Sequence, residues 1–367
     1  MAERRITRRK DGRYMVRWQT DAGRKTKYFQ TRAEARRFAA QVDRLKEEKH
    51  TNKTLATWAE ECLEAYGKNL SIDTVIGYRS IIKNHISSHK IGKAVLSDLR
   101  PYQIQAWVDE MGGLSPKTVH NVYGCLHWIL AKAVQNSIIS SNPTTGCVLP
   151  QRVKPQRHVL TPGQAEAILD AMEGRPDYSL WLFIASTGCR LSEALGLAVA
   201  DIDLHTGKYT IRQTATVSPT EHTGIIQQRT KSNNAQRTGY APKSILRHIL
   251  ATQKTNMEHR LIAGSMWQDN GLVWCDDLGR PIKRNVVLGR LRRLQTNMGI
   301  PPSQVVGSHA FRHLVATALL KSNVSEAAIA RQLGHYSAAY TRAQYMDAYD
   351  EEQQQIANIT EGIINRQ

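Results

Sequence analysis

Apolar residues recur at helical spacing through most of this chain. Leu55, Trp58, Ala59, Cys62, Leu63 and Tyr66 mark one face of a helix opening after Thr54, and the same period predicts helices over about 72–86, 100–111 and 115–135. Ser115-Pro116 and Thr161-Pro162 each place a capping hydroxyl before a proline, whose missing N–H costs nothing at the first helical position. Farther on, Phe311, Leu314, Val315, Ala318 and Leu319 predict a helix over 309–321 with Ser308 as N-cap. A second helix, after Ser325, turns Ala328, Ile329 and Leu333 inward and stops at Gly334, a residue suited to a left-handed C-cap. The first fifty residues read differently. Arg13-Tyr-Met-Val-Arg-Trp-Gln alternates as a strand does, Asp21-Ala-Gly23 turns, Lys25-Thr-Lys-Tyr-Phe-Gln returns, and Ala35, Phe38, Ala39, Val42 and Leu45 give a helix over about 32–49. Residues 225–231 and 236–241 predict two further strands, joined at Ser232-Asn-Asn into a hairpin with Lys231 near its tip.

Prolines and charge break the helical pattern at Asn142-Pro-Thr-Thr-Gly-Cys-Val-Leu-Pro150 and on to Arg157, which marks a linker. The chain thus divides into residues 1–50, 54–150 and 158–367, a multidomain protein with a small sheet-plus-helix domain, an all-α domain and a mixed, mainly-α α+β domain.

Charge narrows the function. With 50 Lys+Arg against 32 Asp+Glu, the net charge is +18 and the pI about 9.8, which implies a polyanionic partner, nucleic acid ahead of an anionic membrane or a merely solvated basic face. Residues 1–50 alone hold sixteen Lys/Arg and seven Asp/Glu. Strands bearing Arg13, Arg17, Lys25 and Lys27 beside Trp18 and Tyr28 suit a DNA groove, whereas a solubilising basic arm has no need of aromatic rings. In the all-α domain Lys117, with Lys68, Lys83, Lys90, Lys93 and Lys132, offers charges that can track a DNA backbone, although surface lysines are usually only solvated. The N-terminus lacks an apolar signal-like run and the longest apolar run, Leu180 to Ala185, is too short to span a bilayer, so a cytoplasmic protein is expected. Five scattered cysteines without C-x-x-C spacing read as reduced thiols rather than a zinc ribbon.

The candidate chemistry lies in the last domain. Arg190 follows a buried helix and a glycine break, a costly place for an arginine unless it meets an anion or pairs with Glu193 three residues on. His309 and Arg312 share the first turn of one helix, His335 sits just past the Gly334 stop, and Tyr345 follows; donors ending in a phenol suit a phosphate diester. His309 and His313, four apart, match zinc-ligand spacing, but Arg312 between them puts a fixed cation beside any metal, and no metal site is assigned.

The set T-G-C-R-L-S-E at 187–193, T-K-S in a basic hairpin, H-A-F-R-H at 309–313, then L-G-H at 333–335 followed by a tyrosine, resembles the tyrosine recombinase, or phage integrase, family in order and spacing. The all-α domain resembles that family's SAM-like core-binding domain and the basic N-terminus its arm-binding domain. The resemblance implies a site-specific recombinase that integrates or excises a mobile element, such as a viral genome, through a 3′-phosphotyrosyl link. It implies roles by position: Arg190 and Arg312 clamp the scissile phosphate, Lys231 protonates the leaving 5′ oxygen, and His309 and His335 donate to phosphate oxygens. Tyr345 then attacks, His309 being also placed to take its proton, while Glu193 and His313 support the set from behind. No cofactor, metal or ATP is implied. The implied partners are attachment-site DNA with core and arm sites, a homotetramer on that DNA, an excisionase and a host DNA-bending protein. A Xer-like resolvase, a type IB topoisomerase and a catalytically silent DNA-binding regulator share the scaffold; the basic N-terminus and the intact residue set point away from them. Two positions depart from the pattern: Phe311 stands where leucine is commoner, and Gly239 where a bulky apolar residue is usual. Tyr340 and Tyr349 are the other candidate nucleophiles. Ile356, Ile359, Ile363 and Ile364 line one face of a polar C-terminal segment, suited to close its own core or to dock on a neighbouring protomer.

Overall fold

The computed structural model describes residues 6–20, 23–51, 53–152, 159–218, 223–228, 236–334, 337 and 339. The chain divides into two compact units, residues 1–154 and 155–367, and the division falls in the Pro- and charge-rich stretch after Pro150.

In the first unit β1 (Ile6–Arg8), β2 (Tyr14–Thr20) and β3 (Gly23–Phe29) form an antiparallel sheet in that order, backed by α1 (Arg32–Thr51). Strand alternation decides what each side chain does. Val16 packs on Ala35 and Ala39 of α1, with Tyr14, Trp18, Phe29 and Phe38 around them. The register pairs Val16 with Lys27 and Trp18 with Lys25, so these lysines rise on the helix side, while Met15, itself buried, pairs with Tyr28 and Arg17 with Thr26 on the side that α1 leaves open. The short β1 was not expected from the sequence.

The helical part of this unit consists of α2 (Leu55–Tyr66), α3 (Ile72–Ile81), α4 (Pro101–Asp109) and α5 (Pro116–Gln135). Thr54 and Ser115 cap α2 and α5 as their sequences predict, each accepting from a backbone N–H three residues on. The single helix expected over 72–86 is instead α3 followed by a wider π-helical turn, Ile82–Ser87. Leu55, Ile82, Ile86, Ile104, Leu126, Ile129 and Leu130 build the core, and Trp58 keeps its indole N–H satisfied on the Ile129 carbonyl at 3.0 Å.

The second unit contains α6 (Pro162–Asp170), α7 (Tyr178–Thr187), α8 (Leu191–Leu195), β4 (Lys208–Ile211), β5 (Gln213–Val217), β6 (Gly224–Gln228) and β7 (Arg237–Tyr240). Then follow α9 (Lys243–Ala263), α10 (Arg284–Asn297), α11 (Ser308–Lys321) and α12 (Glu326–Leu333). Its core holds Trp181, Phe183, Tyr209, Trp274 and Phe311; Phe183 meets Tyr209 edge-on at 5.0 Å and Trp181 meets Phe311 at 5.5 Å. Phe311 is fully buried, so the larger ring is accommodated by Trp181.

The expected hairpin of residues 225–231 on 236–241 is corrected. Among the described residues β6 pairs antiparallel with β5, and β7 with β4. β4 and β5 are separated only by Arg212, which turns out to Asp201 at 2.6 Å, so one nearly continuous chain segment offers both returning strands their partner. This pairing also accounts for Gly239. Tyr209 lies opposite it, and a Cβ built at Gly239 would stand 2.5 Å from the Tyr209 hydroxyl oxygen. The tyrosine fills, from the neighbouring strand, the space a bulky residue at 239 would take.

Gly239→Val should therefore overpack the strand and cost about 1–3 kcal/mol, read as a lower urea midpoint of the full chain. Adding Tyr209→Leu should recover part of that loss; a Gly239→Val chain as stable as wild type would show that the ring can simply move aside.

Candidate active site

The site is built at the ends of two helices. α7 stops at Gly188, whose left-handed backbone (φ 69°) turns the chain into Arg190, the N-cap of α8. Glu193 accepts from the Arg190 backbone N–H at 3.0 Å, a capping contact that also brings the carboxylate to the arginine's own side chain, Nη1 to Oε1 2.8 Å. α12 opens at Ser325, which accepts from Ala328 N–H, and stops at Gly334 with φ 67°. Both boundaries agree with the sequence; on the inward face, however, Ala328 is exposed and Ala330 is buried in its place beside Ile329 and Leu333. α11 begins one residue earlier than expected, with Gly307 rather than Ser308 at the N-cap.

Three arginines converge on the end of α12. Arg237 Nε donates to the Gln332 carbonyl at 2.9 Å, Arg312 Nη2 to the Leu333 carbonyl at 2.6 Å, and Arg190 Nη2 to the Gly334 carbonyl at 3.3 Å. Arg312 also donates through Nη1 to the Gly188 carbonyl at 2.7 Å, so one guanidinium ties the stop of α7 to the stop of α12. Carbonyls at a helix C-terminus lack intrahelical donors and carry the negative end of the helix dipole, which suits cations. Gln332 adds its amide to the Thr187 carbonyl and the Tyr209 hydroxyl, 3.2 and 3.1 Å.

Glu193 is fully buried between two of these arginines. Arg237 approaches it through both terminal nitrogens and Arg190 through one. Burial alone would raise the carboxyl's pKa, but the hydrogen bonds and charge of Arg237, and then the charge of Arg190, outweigh it and hold Glu193 far below the usual carboxylate range. Burial likewise opposes the charge on Arg237, and Glu193 more than restores it. Burial pushes the Cys189 thiol up, and it stays protonated against the Tyr209 hydroxyl at 3.7 Å. Cys62 and Cys125 are pushed up by burial to about 12, as inert core thiols are.

The expected residues are thus partly assembled. Arg190, Glu193 and Arg312 meet at the end of α12; Arg190 keeps 34% of its side chain exposed and Arg312 is buried. His309 is exposed on the first turn of α11 and His313 is half-buried one turn on. Lys231, His335 and Tyr345, with Tyr340 and Tyr349 and the C-terminal isoleucines, lie outside the described residues. Arg237 and Gln332 were missed. Arg237 carries no local signal of burial, because its pairing with Glu193 spans 44 residues.

In the first unit the basic set separates. Trp18 is half-buried against the core, edge-on to Phe38 at 5.1 Å, and Lys27, itself exposed, lies over the Phe38 ring at 4.8 Å on the same helix side. The open side carries Arg17 and Tyr28, with Arg9 and Arg13 over the Tyr28 ring at 5.3 and 5.6 Å. Lys117 is exposed on the first turn of α5. Among the described residues no helix is long and apolar enough to cross a membrane.

Comparison with known proteins gives concordant results. A family model described as the phage integrase family matches residues 158–352, and one described as the phage integrase N-terminal SAM-like domain matches residues 54–112. A XerC-like tyrosine recombinase of Caldanaerobacter subterraneus is 25% identical over 73% of this chain and 72% of its own length. An integrase of Streptomyces ambofaciens is 25% identical over 75% and 72%. Among solved structures, the Tn1549 transposon integrase in complex with transposon right-end DNA superposes with a TM-score of 0.65 at 20% identity, covering 83% of this chain and all of that one. A lambda integrase dimer bound to a core site gives 0.55 at 17% identity, over 92% and 94%. These likenesses establish a shared fold: a mainly helical, multidomain architecture with small sheets.

The depressed carboxyl makes a prediction with a definite sign. Its contribution to stability is complete above the unfolded carboxyl pKa, about 4.3, and is lost as pH falls toward the folded value. In urea unfolding of the full chain, wild type should exceed Glu193→Gln by the largest margin near neutrality, and the margin should shrink below about pH 4. A margin independent of pH would mean that Glu193 is not ionised in the fold.

Proposed function

Because this chain belongs to the phage integrase family of tyrosine recombinases, which cleave and rejoin DNA at specific sites, we propose that residues 158–367 do so through a 3′-phosphotyrosyl intermediate on Tyr345. The observation that carries the assignment of residues is the arginine cap on α12: Arg190 and Arg312, from different elements, are fixed at one spot directly ahead of His335. A guanidinium's planar fork and permanent charge suit the non-bridging oxygens of a phosphate diester, whose negative charge grows as the nucleophile enters.

The step balances with the chain's own groups. The Tyr345 oxygen bonds to phosphorus while the bond from phosphorus to the 5′ oxygen breaks; His309 takes the phenol proton and Lys231 gives one to the departing oxygen. Arg190, Arg312 and His335 hold the non-bridging oxygens. An unperturbed phenol, with a pKa of about 10, needs such cationic surroundings near neutral pH. The phosphotyrosine conserves the diester's energy, and a 5′ hydroxyl attacking in reverse rejoins the strand.

Residues 54–150 serve as the core-binding domain, where Lys117 contributes to the backbone grip, and residues 1–50 as an arm-binding module. Within the latter the open sheet face, with Arg17, Arg13 and Tyr28, is the better DNA surface, since Lys25, Lys27 and Trp18 lie on the helix side. Exchange between two duplexes requires four such sites, hence a homotetramer on DNA.

Duplexes drawn from the DNA flanking the gene should form a covalent protein adduct on a denaturing gel, with chelator present, and Tyr345→Phe should abolish it. Persistence in that variant would move the nucleophile to Tyr340 or Tyr349. Arg190→Ala and Arg312→Ala should slow adduct formation by about 10²–10³. For the N-terminal module, Arg17→Ala should weaken DNA binding and reduce the salt slope by about one, and Lys27→Ala should do so less.

A further inference from the structure

We infer that Arg237 is a positioning residue for strand transfer: it takes up the charge of Glu193, so that Arg190 faces the phosphate as an uncancelled cation, and it fixes the backbone directly ahead of His335. The inference rests on the catalytic reading above.

Charge is the first argument. A buried carboxylate paired with a single arginine makes a neutral couple, and a guanidinium so paired has little attraction left for a phosphate. Here Glu193 stands between two. Arg237 meets both carboxylate oxygens, and Arg190 Nη1 shares Oε1 with Arg237 Nη1, at 2.8 and 3.1 Å. The three side chains sum to one positive charge. Only Arg190 presents it outward, with 34% of its side chain exposed against 5% for Arg237 and none for Glu193.

Position is the second argument. Arg237 Nε holds the Gln332 carbonyl at 2.9 Å, and a Cβ built at Gly334 would lie 2.8 Å from Arg237 Nη1. The chain therefore leaves α12 pressed against this guanidinium, and the next residue is His335.

Stability gives a weaker account of the same contacts. Burying an arginine and a carboxylate costs desolvation that their attraction repays only in part, and well-packed apolar pairs are often as stable. A purely structural pair has no need of Arg190 as a third member.

The test uses the full chain on a flanking duplex with which wild type forms a Tyr345-dependent adduct; absence of that adduct is failure of the catalytic reading itself and is scored separately. Single-turnover adduct formation and DNA affinity are measured for Arg237→Met, Arg237→Lys, Glu193→Gln and the double variant Glu193→Gln/Arg237→Met. Arg237→Met should slow adduct formation about a hundredfold, comparable to losing one transition-state donor, with DNA affinity within about twofold. Adding Glu193→Gln should restore at least tenfold, because a neutral amide no longer cancels Arg190. A packing role predicts the reverse, a double variant no faster than the single one. Either that result, or Arg237→Met within threefold of wild type, overturns the inference. Should Arg237→Met not fold, Arg237→Gln replaces it alone and with Glu193→Gln, and the same outcomes decide; Arg237→Lys, which keeps a cation beside Glu193, should cleave faster than the neutral variant, and equal rates overturn the inference.

Discussion

Three successive backbone carbonyls at the end of α12 each accept from a different arginine, and much of the second unit is arranged by that requirement. The last turn of a helix leaves carbonyls without intrahelical donors, and at this end solvent does not supply them, because Arg237 and Arg312 are buried against them. Arginine fits the task better than lysine, since its planar fork reaches two acceptors at once; Arg312 spans Gly188 and Leu333 in this way. The donors come from the N-cap of α8, from β7 and from α11. Satisfying one helix end therefore draws together segments separated by as many as 144 residues.

The glycines follow from the same junction. Gly188 and Gly334 both adopt left-handed backbone, where a Cβ is strained, and both are also crowded: a Cβ at Gly188 would stand 2.5 Å from the Leu333 side chain and one at Gly334 2.8 Å from Arg237. Two helices thus end against each other with nothing larger than hydrogen at the contact. Tyr209, opposite Gly239 and bonded through Gln332, continues this close packing into the β4–β7 pair. The helix ends and the sheet consequently share one rigid neighbourhood.

Much of this was legible in the sequence where the signal is local. Caps at Thr54, Ser115, Thr161 and Ser325, the stops at Gly188 and Gly334, and the apolar faces of α2 and α5 are written within a few residues. So is the adjacency of Arg190 to Glu193. What depends on distant partners was not. β4 and β5 span four and five residues, too short for alternation to stand out, and which strand β6 and β7 join is settled by the segment on either side of Arg212. The face on which Trp18 and Lys27 lie is fixed by α1 covering one side of the sheet, which alternation alone does not specify. Arg237 reads as one more basic residue in a basic chain until Glu193 is beside it.

The two kinds of information meet in the charge of the site. A family pattern names Arg190, Arg312 and their companions, but a residue's name does not say how much of its charge reaches a ligand. That depends on what else is buried nearby. A fully enclosed carboxylate beside Arg190 would by itself oppose phosphate binding, and the strand bringing Arg237 to that carboxylate restores a net positive charge. Because Arg190, Arg237 and Arg312 are anchored on one helix end, a shift of α12 changes all three at once. The cationic centre is therefore a property of the folded second unit and not of any one motif.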